Sequence, residues 1–323
     1  MRKALILLLA ALPVCAVQAA SPPPAEAGLA WLQRWLVADQ QSYQGTFVYE
    51  RNGSFSSHAI WHRRDSRGQV RERLLRLDGP AQEVLRVDAR VQCVSNPQAD
   101  QLESVAGLRL QQVPAEQLAA LYEVRLLGQS RVAGHVAVVL ALLPRDQYRY
   151  ALELHLDQQT GLLLKSLLLN EQGQLLERFQ FTQFDSRSPL NAAALQPGED
   201  CLPLPVAPLD ASAPALASPW RPSWLPPGFT LSSVEQRAAL GADQAFTWLM
   251  FSDGLARFSL FIESLPPAAV EDLQSQLGPT VIVSRQVPDA SGSMLVTLVG
   301  EVPLATAERV VQSMQPTSAP VVP

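Results

Sequence analysis

The chain has 323 residues, 47% of them hydrophobic and 17% charged, and a formal net charge of −5. An acidic balance argues against a nucleic-acid binder, and the length is more than one ordinary domain needs. The first residues read as an address. Met1-Arg2-Lys3 is a short positive region, and residues 4–17 form an apolar stretch too short to span a bilayer. Val17-Gln18-Ala19 fits a small-x-small cleavage site, so 1–19 is expected to be a signal peptide and the mature chain to start at Ala20. Val14 is a poor lipobox residue before Cys15, which favours soluble export to the periplasm over lipid anchoring.

In the exported chain, Leu29, Leu32, Trp35 and Leu36 recur at helical spacing and predict a helix over 25–38. Strands follow. Tyr43, Phe47 and Tyr49 alternate, Arg51-Asn52-Gly53-Ser54 is a hairpin turn, and 57–63 is the partner strand. Residues 70–77 and 83–94 predict two or three more, with Asp78-Gly79-Pro80 turning between them. Arginine is concentrated here, at Arg51, Arg63, Arg64, Arg67, Arg71, Arg73, Arg76, Arg86 and Arg90. Guanidinium groups suit phosphate and carboxylate, so lipid phosphates or an acidic peptide are conceivable partners, but the residues alone favour edge protection of solvated strands. Cys93 and Cys201 are the mature cysteines, and an oxidising compartment permits a bridge between them without requiring one.

Residues 113–122 predict a short helix. Then 131–143, 148–156, 162–169 and 175–184 read as a four-strand meander with turns at Pro144-Arg145-Asp146, Asp157–Gly161 and Asn170–Gly173. Tyr148, Tyr150, Leu152, Leu154 and Leu156 give the cleanest alternation. The expected fold class is α+β: a large, strongly curved antiparallel sheet with helices on its concave side, followed by a smaller α+β domain. Such a sheet encloses either a packed core or an apolar cavity.

Ten prolines between Pro189 and Pro227 mark a linker over 188–219, in which Leu202, Leu204 and Val206 are expected to pack on a neighbouring surface. The second domain is placed at 220–314, with 20–187 as the first and 315–323 as a tail. Its elements are a strand over 229–237, a hairpin over 245–263 turning at Ser252-Asp253-Gly254, a helix over 270–277, strands over 280–287 and 293–300, and a helix started by Pro303. The turn is expected to fold its sheet rather than to touch a partner.

Catalytic chemistry is hard to find. His58 and His62 share one strand face with no third ligand at metal-site spacing, and His135 and His155 look isolated. Gly128-Gln129-Ser130-Arg131-Val132 lacks the second glycine of a nucleophile elbow. The expectation is no enzyme, no metal and no cofactor.

Trp224-Leu225-Pro226-Pro227-Gly228-Phe229, then Phe251–Leu255 and Phe258-Ser259, resemble the C-terminal domain of the MucB/RseB family. Val299–Pro303 with Ala305-Thr306-Ala307 is similar too. In the first domain Leu77–Pro80, Glu83-Val84, Leu156-Asp157, Gly161–Lys165 and Leu175–Phe179 resemble the same family. The resemblance spans the mature chain in order; the long proline- and alanine-rich linker departs from it.

That resemblance implies a periplasmic negative regulator of a sigma-E-type (AlgU-type) envelope stress response. Such a protein binds the periplasmic domain of a RseA/MucA-like anti-sigma factor, shields it from the site-1 protease, and is released by lipid or lipopolysaccharide. It implies a LolA/LppX-like unclosed barrel for the first domain and anti-sigma contact through the second. Candidate lipid-binding residues are Trp61, Arg71, Arg73, Arg76, Tyr148 and Tyr150, and candidate partner-binding residues are Trp224, Phe251, Asp253, Leu255 and Arg257. A homodimer is carried as an expectation on assembly. The rival readings are a periplasmic lipoprotein or lipid carrier, which needs only the first domain, and a hydrolase.

Overall fold

The structure is a computed structural model that describes residues 24–80, 82–88, 90–95, 113–204, 218–238, 245–264, 272–289 and 292–321; the expected signal peptide and Val206 lie outside these. Helix α1 (Pro24–Leu36) opens the chain with proline at its first position, where no amide hydrogen is needed. Its apolar stripe buries Leu32 and Trp35.

Ten strands then build most of one sheet: β1 (Tyr43–Arg51), β2 (Ser54–Arg64), β3 (Val70–Arg76), β4 (Glu83–Val87), β5 (Arg90–Val94), β6 (Tyr122–Val132), β7 (His135–Pro144), β8 (Ala151–Asp157), β9 (Leu163–Leu169) and β10 (Leu175–Asp185). Helix α2 (Ala115–Leu121) precedes β6, and β11 (Leu202–Pro203) adds a short edge. The order is β11-β5-β4-β3-β2-β1-β10-β9-β8-β7-β6, and the pairings are antiparallel. The sheet curls without closing. Its two end strands do not pair, yet His135 at the start of β7 donates from Nε2 to the Phe184 carbonyl on β10 at 3.2 Å, three strands away.

Register puts Leu152, Leu154, Ser166, Leu168, Glu177 and Phe179 on one wall of the curl. At one end of that wall α1 and α2 bury Leu32, Trp35, Ala115 and Leu118 against Leu140, Leu142, Leu152, Leu154 and Leu156. Toward β1 and β2, Phe47, Ile60, Leu74, Phe179 and Phe181 fill the core instead. At roughly 1.5–3 kcal/mol per fully buried large apolar side chain, these clusters fix the register strongly.

The second domain has a six-stranded sheet in the order β13-β14-β15-β18-β17-β16, from β13 (Thr230–Ala238), β14 (Ala245–Ser252), β15 (Arg257–Ser264), β16 (Leu273–Leu277), β17 (Thr280–Asp289) and β18 (Gly292–Gly300). Helix α3 (Leu304–Gln312) buries Ala307, Val310 and Val311 among Leu249, Leu260, Val283 and Leu298. A two-stranded ribbon of β12 (Ser218–Pro222) and β19 (Met314–Val321) lies alongside; it draws on residues expected to be linker and tail.

Four local expectations need correction. The helix expected over 270–277 is strand β16 in its described part, because pairing with β17 overrides weak helical spacing. The single strand expected over 131–143 is the end of β6, a tight turn and β7. Ala133 and Gly134 both take positive φ, a hairpin turn without the usual Asn-Gly signal. β8 starts at Ala151 rather than Tyr148, since 145–150 is spent on bends. Leu202 and Leu204 face solvent rather than packing; the segment is held by Cys201, bonded to Cys93 with 5.4 Å between Cα atoms, and by the Leu204 amide donating to the Gln92 carbonyl.

Candidate functional site at the domain junction

The β14–β15 turn is built by its own side chains. Asp253 Oδ1 accepts from the amides of Leu255 (2.9 Å) and Ala256 (2.7 Å), and Ser252 Oγ accepts from the Gly254 amide at 3.0 Å. Gly254 has φ +104°, and a Cβ there would stand 2.6 Å from the Val113 side chain of the first domain. The turn thus combines a backbone conformation and a close approach that both favour glycine.

What the turn meets is an arginine. Asp253 Oδ2 accepts from Arg149 Nη1 at 2.5 Å and from the Tyr122 hydroxyl at 3.2 Å, and both charged side chains are fully buried. Arg149 also donates to Asp146 through Nε (3.2 Å) and Nη2 (3.1 Å) and to the Pro227 carbonyl (2.6 Å). Its guanidinium stands 5.5 Å from the Tyr122 ring centre and 5.3 Å from that of Phe229. Burial, and then the Asp253 carboxylate, push the Tyr122 hydroxyl well above the usual phenol range, so it stays a donor. A buried pair is tolerable only when its remaining valences are filled, as they are here.

Beside the pair, Leu255 packs against the cluster of Leu152, Tyr122 and α1–α2. A cavity of about 40 Å³ remains under it, lined by Tyr122, Tyr150, Leu152, Ser166, Leu168, Glu177, Leu255, Ala256 and Glu301. Across this cavity the domains meet again. Arg51 of β1 donates to Glu301 at 3.0 Å and to Thr280 Oγ1, and the Tyr49 hydroxyl donates to Glu177 at 2.6 Å. Burial, and then the nearby Glu301 carboxylate, push Glu177 up to about 7. The Tyr150 hydroxyl donates to the Val302 carbonyl at 3.0 Å. On the outer side Arg309 stacks 3.9 Å over Trp224 and donates to the Tyr148 hydroxyl at 3.0 Å.

The candidate residues therefore fall into separate places. Tyr148, Tyr150, Trp224, Asp253 and Leu255 gather at the junction. Trp61 and Arg73 pair across β2–β3, with the guanidinium 5.2 Å over the indole, and Arg71 shares their face. Arg73 is already engaged by Glu83 and the Ala194 carbonyl. Arg76 is on the opposite face by alternation and binds Asp78 at 3.0 Å. Phe251 is buried and stacked on Phe258, while Arg257 is exposed. His155 is not isolated: it bonds Ser130 Oγ at 2.7 Å and Glu153 at 2.9 Å, and His135 lies 3.3 Å from Asp157. Sequence reasoning missed Arg149, which sits between two tyrosines and 104 residues from its partner; no local pattern marks such a pair.

A curled sheet with an apolar inner wall, docked to a second domain through a desolvated ion pair, defines a two-domain binding protein. Residues 27–199 match the MucB/RseB N-terminal domain and residues 214–315 the MucB/RseB C-terminal domain. The chain belongs to the MucB/RseB family. It is 54% identical, over 90% of its length and 91% of the relative's, to the sigma factor AlgU regulatory protein MucB of Pseudomonas aeruginosa. With the sigma-E factor regulatory protein RseB of Escherichia coli it shares 26% identity over 92% of each chain. It superposes on the Pseudomonas aeruginosa MucA/MucB complex structure with a TM-score of 0.80, covering 91% of this chain and all of that one at 53% identity. For the crystal structure of MucB in complex with MucA(peri) the TM-score is 0.77, covering 90% of this chain and 99% of that chain.

Proposed function

We propose that the protein is a periplasmic sigma-factor regulator that binds the periplasmic domain of a MucA/RseA-like anti-sigma factor. It shields that domain from site-1 proteolysis and is released by lipid or lipopolysaccharide. The observation that carries this is the 54% identity, across nine-tenths of the chain, to a MucB, whose structure is known with MucA. The geometry supports a switch: the domains meet through ion pairs, hydrogen bonds and the small apolar contact of Leu255, outside either sheet's own pairing, so they can rearrange without unfolding either core. In this reading residues 20–187 sense lipid along the inner wall, 188–219 link, and 220–314 contribute most of the anti-sigma contact.

The residue assignments follow burial. Phe251 and Asp253 are buried in the docked arrangement, so the partner first meets Arg257 and the rim around Trp224. Tyr148 and Tyr150, beside the wall, take part in the lipid response, with Trp61, Arg71 and Arg73 as a second polar patch and Arg76 acting from the opposite face of the same strand. Calorimetric titration with the MucA periplasmic domain tests the reading: saturable binding is expected, and no heat at tens of micromolar protein sinks it.

A further inference from the structure

The turn at Ser252–Ala256 is chemically a ligand. It presents a carboxylate to a buried arginine and a tyrosine hydroxyl, and an aliphatic side chain to an apolar wall beside them. We propose that the pocket filled by Asp253 and Leu255 is itself a binding site for an anionic amphiphile, an aliphatic chain bearing a carboxylate or phosphate head. Arg149 and Tyr122 anchor the head, and the turn is the site's internal occupant. The inference deepens the lipid-release reading and rests on it.

Three observations carry it. The first is the donor capacity that withdrawal of the turn frees on Arg149. With the turn withdrawn, Asp146 still holds Nε and Nη2, but Nη1 and the Tyr122 hydroxyl lose their acceptor. A guanidinium N–H and a hydroxyl released side by side select a carboxylate or phosphate oxygen. The second is continuity, because Tyr122 borders both the ion pair and the cavity. From there the wall runs through Leu152 and Leu168 toward Phe179, with Ser166 and Glu177 as polar members. The third is incomplete filling: beside Leu255 and Ala256 of the turn about 40 Å³ stays open against Leu152 and Leu168 of the wall.

Glu177 and Glu301 line the cavity as well, with Arg51 at 3.9 and 3.0 Å from them and Arg257 also acting on Glu177. They disfavour an anionic head at that end, which leaves the Arg149 end for it. The head group would stand where the Asp253 carboxylate stands between Nη1 and the Tyr122 hydroxyl, so the amphiphile and the docked turn exclude each other. Apparent affinity is then the intrinsic affinity scaled by the undocked fraction, and by linkage the ligand drives the domains apart.

The test uses the mature full-length chain and isothermal titration with dodecyl phosphate, dodecyl maltoside and inorganic phosphate. Asp253→Asn combined with Leu255→Ala loosens the turn and is expected to bind dodecyl phosphate at least tenfold tighter than wild type. Adding Arg149→Gln should remove that gain while leaving dodecyl maltoside unchanged. Leu255→Ala alone keeps the ion pair and the fold, and should still tighten dodecyl phosphate severalfold. Equal affinity in wild type and the turn variants, or a gain that survives Arg149→Gln, overturns the proposal. Inorganic phosphate binding as tightly as dodecyl phosphate would make the site an anion site and overturn it too. MucA periplasmic domain titrated into the same samples separates the two ideas. Loss of that binding in wild type refutes the regulator reading, whereas intact MucA binding with no gain in the turn variants refutes only the amphiphile site.

Discussion

Replacing Arg149 with methionine keeps most of the side chain's volume and removes its charge. Asp253, 1% exposed, would keep two turn amides and the Tyr122 hydroxyl but lose its cation; Asp146 would lose both its donors from Arg149 and the Pro227 carbonyl would lose one. Stranding one member of a buried pair costs about 3–5 kcal/mol. The molecule has an escape, since undocking returns Asp253 to water, so the measured loss is capped by what docking contributes. Urea unfolding should therefore show a loss of about 2–4 kcal/mol, together with a larger radius of gyration by small-angle scattering. The double variant with Asp253→Asn should recover part of it, with a coupling near 2 kcal/mol. A loss below about 1 kcal/mol with unchanged scattering would refute the claim that this pair holds the domains together.

Three further outcomes are expected. Glu177 titrates near 7 against an ordinary value of 4.5, so between those pH values the folded protein binds more protons than the unfolded one. Stability contributed at this site falls as pH rises through that window, and Glu177→Gln should flatten the fall when its melting curves are compared with wild type from pH 4.5 to 7.5. Reducing Cys93–Cys201, which closes a separation of 108 residues, should lower unfolding stability by about 2–4 kcal/mol, read by denaturant titration with and without reductant. Gly254→Ala places a Cβ against Val113 at φ +104° and should cost about 1–3 kcal/mol, with increased protease sensitivity at the junction.

The elements were legible where periodicity and turn chemistry coincide. Asn52-Gly53 folds the β1–β2 hairpin with both residues at positive φ, and α1 falls where Leu29, Leu32, Trp35 and Leu36 recur. The pattern failed where tertiary pairing decides. Leu273–Leu277 is a strand because β17 offers it an edge, and Ala133-Gly134 turns without a recognised signal. The junction was half legible. Asp253 and Gly254 announce a turn, and the hydrogen bonds within Ser252–Ala256 follow from their chemistry. That the same aspartate also serves Arg149 depends on how two domains dock, and a contact across 104 residues leaves no spacing to read. The turn therefore folds its sheet, as expected, and also docks it to the first domain.

Protection of an anti-sigma factor, as proposed, is read from digestion of a MucA periplasmic domain by its site-1 protease. At saturating protein the cleavage rate is expected to fall at least tenfold and to return when dodecyl phosphate is added. Cleavage at the same rate with and without the protein would contradict the account.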